Sequence, residues 1–192
     1  MSAVGRWEGR PAVRPLPSTG ALLALLGAVA LLVRPWPGYP FSAWMGAHLL
    51  LSFAAAPLLV LARRVQRPVA PLPAFVTLNT VTVLLHLPTV HGRLMTVPGG
   101  TVLAGALFLL SGIGLWQSAR TRSPLRAAGL LGAQMAACAL TGALVTFTRG
   151  AVYHTTDADV ALGGVLMWVV GGLVPMAATL ALLLAFLNGD RA

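Results

Sequence analysis

The sequence predicts an all-α membrane protein: a single polytopic helical bundle of about six transmembrane helices, with both termini in the cytoplasm. The first observation is composition, because 57% of the residues are hydrophobic and only 9% are charged, with a mean hydropathy of +0.84. A soluble domain of this length could not bury so much apolar surface. The second observation is that the arginines alternate between long hydrophobic stretches, about three in one connection and about one in the next.

Six hydrophobic runs are the predicted spans, and the connections between them are about 5 to 11 residues long, as in ordinary helical bundles. Residues 1–17 are then a basic cytoplasmic tail, residues 18–187 a single transmembrane bundle, and residues 188–192 a second cytoplasmic tail. Proline and glycine in the connections predict tight turns between antiparallel neighbours. The predicted spans cover roughly residues 18–33, 40–62, 70–91, 97–118, 126–148 and 160–187.

The arginine count orients this bundle. By the positive-inside rule, the arginine-rich segments lie in the cytoplasm, so we predict a multi-pass protein of a bacterial plasma membrane. Basic residues are spread over loop ends and do not form one face, which argues against nucleic acid as a partner despite a net charge of +9. The rich segments hold Arg6, Arg10 and Arg14, then Arg63, Arg64 and Arg67, then Arg120, Arg122 and Arg126; the poor ones hold Arg34, Arg93 and Arg149.

Small residues inside the spans predict close approach of helix backbones, and two prolines predict kinks. The one cysteine, Cys138, lies in the fifth span and is predicted to pack in the core, because a single thiol forms no disulfide framework. The prolines are Pro57 and Pro175, and the small residues are Gly20 with Gly27, Gly132 with Ala136, and Gly164 with Gly172.

His48 and His86 are the ionisable side chains expected at depth in the membrane, and intramembrane ionisable groups are candidates for function. The second and third helices are joined by a short connection, so their outer halves are expected to face each other and to bring the two rings together. Each histidine belongs to a polar stripe that must face protein. Two interpretations remain open: hydrogen bonds that only tie the helices together, or a ligand site. The stripes are Trp44, His48 and Ser52, and Asn79, Thr82 and His86.

Further polar residues fall on the same predicted outer side, namely His91, His154, Asp157 and Asp159. Imidazole and thioether groups are the ligands that suit copper. The aspartates also stand where they could cap the last helix. No nucleophile paired with a base, glycine-rich phosphate loop or pair of intramembrane carboxylates is present, so no enzyme is predicted. The predicted metal ligands are His48, His86, His91, Met45 and Met167.

Several stretches then resemble a known family. Residues 41–50, FSAWMGAHLL, and 56–61, APLLVL, resemble the H-M-x-x-H-x-L-L and A-P-P-L-L-x-L signature of CtaG-type cytochrome c oxidase assembly factors. His86-Leu87-Pro88 resembles the H-L-P of that family, and Tyr153 stands near the place of a family tyrosine. Residues 159–168, DVALGGVLMW, resemble its D-Q-Q-x-G-G-x-x-M-W, and the similarity covers about residues 40–187.

The resemblance implies a membrane protein that helps to mature a haem–copper oxidase through copper supply at the outer face, with oxidase subunits or other assembly factors as partners. It also shows departures: Trp44 replaces the first histidine of the signature, Val160 and Ala161 replace a glutamine pair, and Ala104 and Gly105 stand where the family typically has an acid and a histidine. Members usually have seven spans, so this chain is identified as a divergent, shortened member.

Two alternatives accompany this interpretation. The protein could be a non-catalytic accessory subunit of a terminal oxidase complex whose polar stripes only pack helices. It could also be a b-type haem protein with His48 and His86 as axial ligands, since two imidazoles from neighbouring helices can hold haem iron. Residues predicted to support the site or to pack the helices around it are Trp44, Asn79, Tyr153, His154, Asp157, Asp159 and Trp168.

Overall fold

A computed structural model of the protein describes residues 16–62 and 68–189, and the regular structure in these ranges is helical. The all-α fold class is therefore confirmed. A short 3₁₀ segment, Gly150–Tyr153, lies in the last connection. The helices are α1 (Leu16–Val33), α2 (Pro40–Ala62), α3 (Pro71–His86), α4 (Pro88–Thr96), α5 (Gly100–Arg120), α6 (Pro124–Thr146) and α7 (Asp157–Leu187).

Four of these helices, α2, α5, α6 and α7, are long and apolar enough to cross a membrane. The bent pair α3 and α4 forms a fifth candidate span, and α1 is a shorter apolar helix over Pro17–Val33. The predicted count of about six is therefore approximate. Residues 1–15, 63–67 and 190–192 lie outside the described ranges, so six of the nine arginines used for the cytoplasmic side, and most of the two predicted tails, are outside the described structure.

The third predicted span, residues 70–91, is wrong at its outer end. α3 ends at His86, and α4 begins at Pro88 after a bend of 77°. Leu87 between them is extended, with φ −64° and ψ 127°, because the proline ring disfavours helical conformation in the residue before it. Residues 92–96, which form the predicted connection to the next span, are helical instead, and α4 runs nearly across the axis of α3.

Pro57 has a local effect on α2. The helix widens to a π-helical turn over Leu50–Ala55, where the Ala56 amide donates to the Leu51 carbonyl. Proline has no amide hydrogen to continue the regular ladder, and the Trp116 indole of α5 donates to the Ser52 carbonyl in this turn at 3.0 Å. Pro175, in contrast, lies inside α7, which is assigned as one continuous helix.

α6 and α7 pack against each other along their length, and their closest approach involves Gly142 and Gly164. A β-carbon on Gly142 would stand 2.7 Å from the Trp168 amide nitrogen, so only glycine fits there. Close approach of a neighbouring helix was predicted at both Gly164 and Gly132. Gly164 has it, whereas a β-carbon on Gly132 would meet no atom within 4 Å. Cys138 is buried and free, as predicted.

The bundle has two ends that differ in chemistry. The histidine end carries Tyr39, His91 and Tyr153, and the larger buried cluster, which includes Trp44 and Phe108, lies towards it. The arginine end carries Arg120, Arg122 and Arg126, with a smaller cluster around Leu115 and Leu131. Antiparallel helices place the start of α2 and of α7 and the end of α3 together at the histidine end, where the candidate site forms.

Candidate metal-binding site at the histidine end

His48 of α2 and His86 at the end of α3 lie next to each other, with ring centroids 5.5 Å apart and ring planes at 66°. Both side chains are buried, with 2% and 5% of their surface exposed. Phe108 of α5 stacks on the His48 ring at 3.8 Å and fixes its plane. The two polar stripes therefore face inward and bring the rings together, as their spacing predicted.

The hydrogen bond of His86 determines which of its nitrogens is available. Its Nδ1 lies 2.6 Å from the Thr82 carbonyl oxygen. A carbonyl can only accept, so Nδ1 carries the hydrogen and Nε2 of the neutral ring carries a lone pair. A ligating histidine is commonly held by this kind of bond from its other nitrogen to a backbone carbonyl. His86 is therefore oriented as a ligand would be.

Three imidazole nitrogens at this end are buried and have no hydrogen-bond partner: Nδ1 of His48, Nε2 of His86 and Nδ1 of His91. Leaving a buried polar atom without a partner costs about 1–3 kcal/mol. Native proteins rarely accept such a cost without a reason, and the binding of an ion is one such reason. The clustering of these atoms at one end makes this the candidate site.

The ring geometry suits two ligands more readily than three. Two imidazoles that each place a nitrogen about 2.0–2.1 Å from one ion have centroids roughly 5–6.5 Å apart, and the His48–His86 pair falls in that range. In residues 16–62 and 68–189, no three His, Cys, Asp or Glu side chains form a group that could hold an ion. His91 is separated from the pair by Trp44, whose ring lies 4.6 Å from His91 and 5.1 Å from His86.

The predicted thioether ligands lie on two neighbouring helices, Met45 on α2 and Met167 on α7. Met45 and Met167 are fully buried in the same cluster as Trp44. Met45 stands against Gly163 of α7, where a β-carbon would meet it at 3.8 Å, and Met167 follows one turn later on α7. Both methionines thus belong to the buried cluster that also includes Trp44 and Phe108.

Asp159 is buried and caps α2, a helix that begins 119 residues earlier in the sequence. Its carboxylate accepts the amide hydrogens of Phe41 at 2.9 Å and Ser42 at 2.8 Å and the Thr155 hydroxyl at 2.8 Å. The prediction that the aspartates cap their own helix is wrong, because Thr156 is the N-cap of α7 and accepts from the Asp159 amide. Asp157 instead accepts the Gly150 amide hydrogen.

Tyr153 connects the last loop to the bend between α3 and α4. Its hydroxyl donates to the His86 carbonyl at 2.5 Å, and its ring packs against Phe41 at 4.6 Å and edge-on against His91 at 5.5 Å. Burial raises the pKa of the Tyr153 phenol above its ordinary value of 10.0, so the hydroxyl stays protonated and able to donate. Tyr153 thereby supports both His86 and His91.

Three predicted residues stand apart from this cluster. Asn79 forms a reciprocal amide pair with Gln134 of α6, at 2.9 and 3.4 Å, nearer the middle of the bundle. Trp168 is 53% exposed on the outer face of α7. His154 is exposed in the last connection, with a left-handed φ of 57°.

A family model of the cytochrome c oxidase caa3 assembly factor matches residues 1–188. The chain belongs to this family. No curated protein and no solved structure matches it significantly. The assembly role and the membrane class that the resemblance implied are thus supported over nearly the whole chain.

Two departures from the family pattern lie within the site. Trp44 occupies the space between His86 and His91, and Ala104 is buried in the same cluster, one turn before Phe108 on α5. In this assembly factor, apolar and aromatic packing therefore surrounds the pair of histidines. Sequence reasoning missed Phe41, Ser42, Phe108 and Thr155, since isolated phenylalanines and hydroxyls give no pattern that points to a site.

Replacing Tyr153 with phenylalanine is expected to lower the free energy of unfolding by about 1 kcal/mol, because one hydrogen bond to the His86 carbonyl is lost while the ring contacts remain. Thermal melting of the purified protein in detergent measures the change. Tyr39→Phe, at an exposed ring of the same end, is the matched control and should melt with the parent protein. Equal melting of both variants would contradict the support assigned to Tyr153.

Proposed function

We propose that this assembly factor takes part in maturation of a cytochrome c oxidase by holding a copper ion transiently between His48 and His86. One observation carries the proposal: the rings lie 5.5 Å apart, and each has a buried nitrogen without a hydrogen-bond partner. Met45 and Met167 assist as neighbouring donors, and His91, which Trp44 separates from the pair, is a more distant one. Copper is cargo in this proposal, and oxidase subunits or other assembly factors are the partners that receive it.

The donor types support copper. Imidazole nitrogens and thioether sulfurs suit copper, and methionine in particular suits Cu(I). The carboxylate of Asp159, which harder ions would prefer, is already engaged by two amides and a hydroxyl. A pair of neutral imidazoles with few further ligands would also release an ion more readily than a closed four-ligand site, as transfer requires.

The distribution of arginines supports a location of this site towards the outer face of a bacterial plasma membrane. At the histidine end, Arg34 and Arg149 lie singly in connections and Arg93 lies in α4. At the other end, Arg120, Arg122 and Arg126 lie close together, at the end of α5, in the following connection and at the start of α6. Positive residues concentrate on the cytoplasmic side. The histidine pair then lies where copper arriving from outside the cell could reach it.

The packing around the rings favours an ion over haem. Phe108 stacks directly on His48 at 3.8 Å, and Trp44 lies against His86 at 5.1 Å. A porphyrin between two axial imidazoles would need the space that these rings occupy. We therefore expect no Soret band from protein expressed with haem available, and a Soret band lost in His86→Ala would establish the haem alternative instead.

Copper analysis of the purified protein tests the proposal. Protein incubated with Cu(I) and then desalted should retain about one ion per chain. In His48→Ala or His86→Ala, the affinity for copper should fall by more than the roughly 10–100-fold that is lost when only a residue supporting a metal ligand is removed. His154→Ala, at an exposed histidine of the same end, is the control and should retain the parent amount. If His48→Ala and His86→Ala both retain the parental amount of copper, the two histidines are not its ligands.

The accessory-subunit alternative gives a different result in the same preparation. A permanent subunit would co-purify with mature oxidase in fixed ratio and without bound copper. A transient assembly factor should appear with immature oxidase and be absent from the finished enzyme.

A further inference from the structure

A groove at the arginine end is apolar along its length and carries a charge at one edge. It lies between α2, α5, α6 and α7, has a volume of about 290 Å³, and includes Val60, Trp116, Leu131 and Leu182 among its walls. A water molecule needs only about 10–15 Å³, and it needs polar partners. The groove therefore suits an extended apolar chain better than ordered water.

Arg120 is the charged residue in the wall of this groove. Its guanidinium donates to the Val60 carbonyl on the opposite wall, which fixes it at the edge. Arg122, two residues later, lies outside the walls of this groove and donates to the Val69 carbonyl at 3.0 Å, so it adds positive charge to the same end of the bundle without lining the groove. No acidic residue occurs between residues 9 and 156 of the sequence, so this edge is strongly positive.

We propose that this groove binds one anionic phospholipid, with an acyl chain along the apolar walls and the phosphate at Arg120. The two parts of such a lipid match the two parts of the groove, and basic pockets between transmembrane helices are suited to anionic headgroups. A guanidinium adds two-pronged hydrogen bonding to phosphate oxygens. The site is at the opposite end from the histidine pair and does not depend on the copper proposal.

A second groove of the described structure provides a comparison within the same molecule. It has a volume of about 370 Å³ and is lined by Met135, Ala139, Trp168 and Met176 among other apolar residues, with no charged side chain in its wall. Any acyl chain can cover such a surface, so it should not select lipids by headgroup. Charge complementarity distinguishes the groove at Arg120 from it.

Lipid retention by the purified full-length protein tests the site. Protein in mild detergent is equilibrated with equal amounts of phosphatidylglycerol and phosphatidylcholine, and retained lipid is counted by native mass spectrometry. We expect one phosphatidylglycerol per chain, preferred at least about fivefold, since each arginine near a charged lipid surface contributes on the order of a fivefold preference. Inorganic phosphate should not displace it, because phosphate lacks the chain.

Five variants, three tests and two controls, separate the effect of the charge from that of the groove. Arg120→Gln should remove most of the preference, while Arg120→Lys should keep part of it. Ala181→Phe, which fills the groove, should abolish retention. Arg149→Gln at the histidine end and Ala139→Phe in the uncharged groove are the matched controls and should behave as the parent protein. Thermal melting without lipid identifies any variant that fails to fold.

Three results of the lipid experiment would overturn the proposal. These are equal retention of the two lipids by the parent protein, parental retention by Ala181→Phe, and displacement of the lipid by inorganic phosphate. Protection of the groove by an oxidase subunit in place of lipid would also overturn it, and would identify this end as a protein-docking surface.

Discussion

Replacing Asp159 with alanine is expected to lower the free energy of unfolding by about 3–5 kcal/mol, because two buried amide hydrogens lose a charged acceptor and each such bond contributes about 1.5–3 kcal/mol. The amides belong to Phe41 and Ser42, in the first turn of α2, so α2 would lose two of its hydrogen bonds to α7 and keep the one from the Ser42 hydroxyl to the Asp159 carbonyl. Trp44 and His48 follow in the next two turns. The substitution should therefore disturb the histidine pair as well as stability.

Asp157→Ala is the matched control for this prediction. Asp157 lies two residues earlier, is exposed, and accepts the Gly150 amide, so its loss should cost about 1 kcal/mol or less. Thermal or sodium dodecyl sulfate unfolding of the two variants measures the difference. If both lose the same stability, the carboxylate of Asp159 does not hold α2 in place. Asp159→Asn should also be destabilised, because the side-chain NH₂ group of asparagine would point a donor at a backbone N–H of Phe41 or Ser42.

Replacing Gly164 with alanine is the second large effect that we expect. The new β-carbon would stand 2.5 Å from the Thr146 amide nitrogen and 2.7 Å from its Cα. Both are backbone atoms that no rotamer change can move, so α6 and α7 must separate. Overpacking of this kind costs about 1–3 kcal/mol and occasionally more, and we expect the upper part of that range because close helix packing is a main source of stability in membrane bundles.

Gly132→Ala is the control, since its β-carbon would meet no atom within 4 Å. Alanine is favoured over glycine in a helix by about 1 kcal/mol, so this variant should unfold at the parent temperature or slightly above it. The pair differs only in the surroundings of the added methyl group. Comparable destabilisation of both variants would show that the α6–α7 contact is not as close as described.

The two polar stripes, and the meeting of His48 with His86 that follows from them, could be predicted because helical spacing is a local property of the sequence. His48 lies one turn from Trp44 and from Ser52, and His86 one turn from Thr82, so helical spacing alone places each set on one face. Polar groups in a membrane must face protein, which leaves the bundle interior as the place where both stripes meet. The short connection between the two helices then makes their proximity predictable.

The roles of Asp159 and Trp44 could not be predicted in the same way. Asp159 stands in the first turn of its own helix, where dipole and capping arguments assign it to that helix, yet its partners are in α2. The position of Trp44 between His86 and His91 depends on the bend at Leu87, which turns α4 back towards α2. Neither contact leaves a periodic signal in the sequence.

By itself, the sequence determined that this protein is a helical membrane bundle, which residues face its interior, and which family it resembles. These properties follow from hydropathy and from helical spacing, both of which act within one segment. Only the tertiary structure decided which helix Asp159 caps, which glycine pair brings α6 and α7 together, and that two histidine rings meet while the third is held apart. Those outcomes depend on bends and on helix-to-helix distances, which are set by packing between segments far apart in the chain.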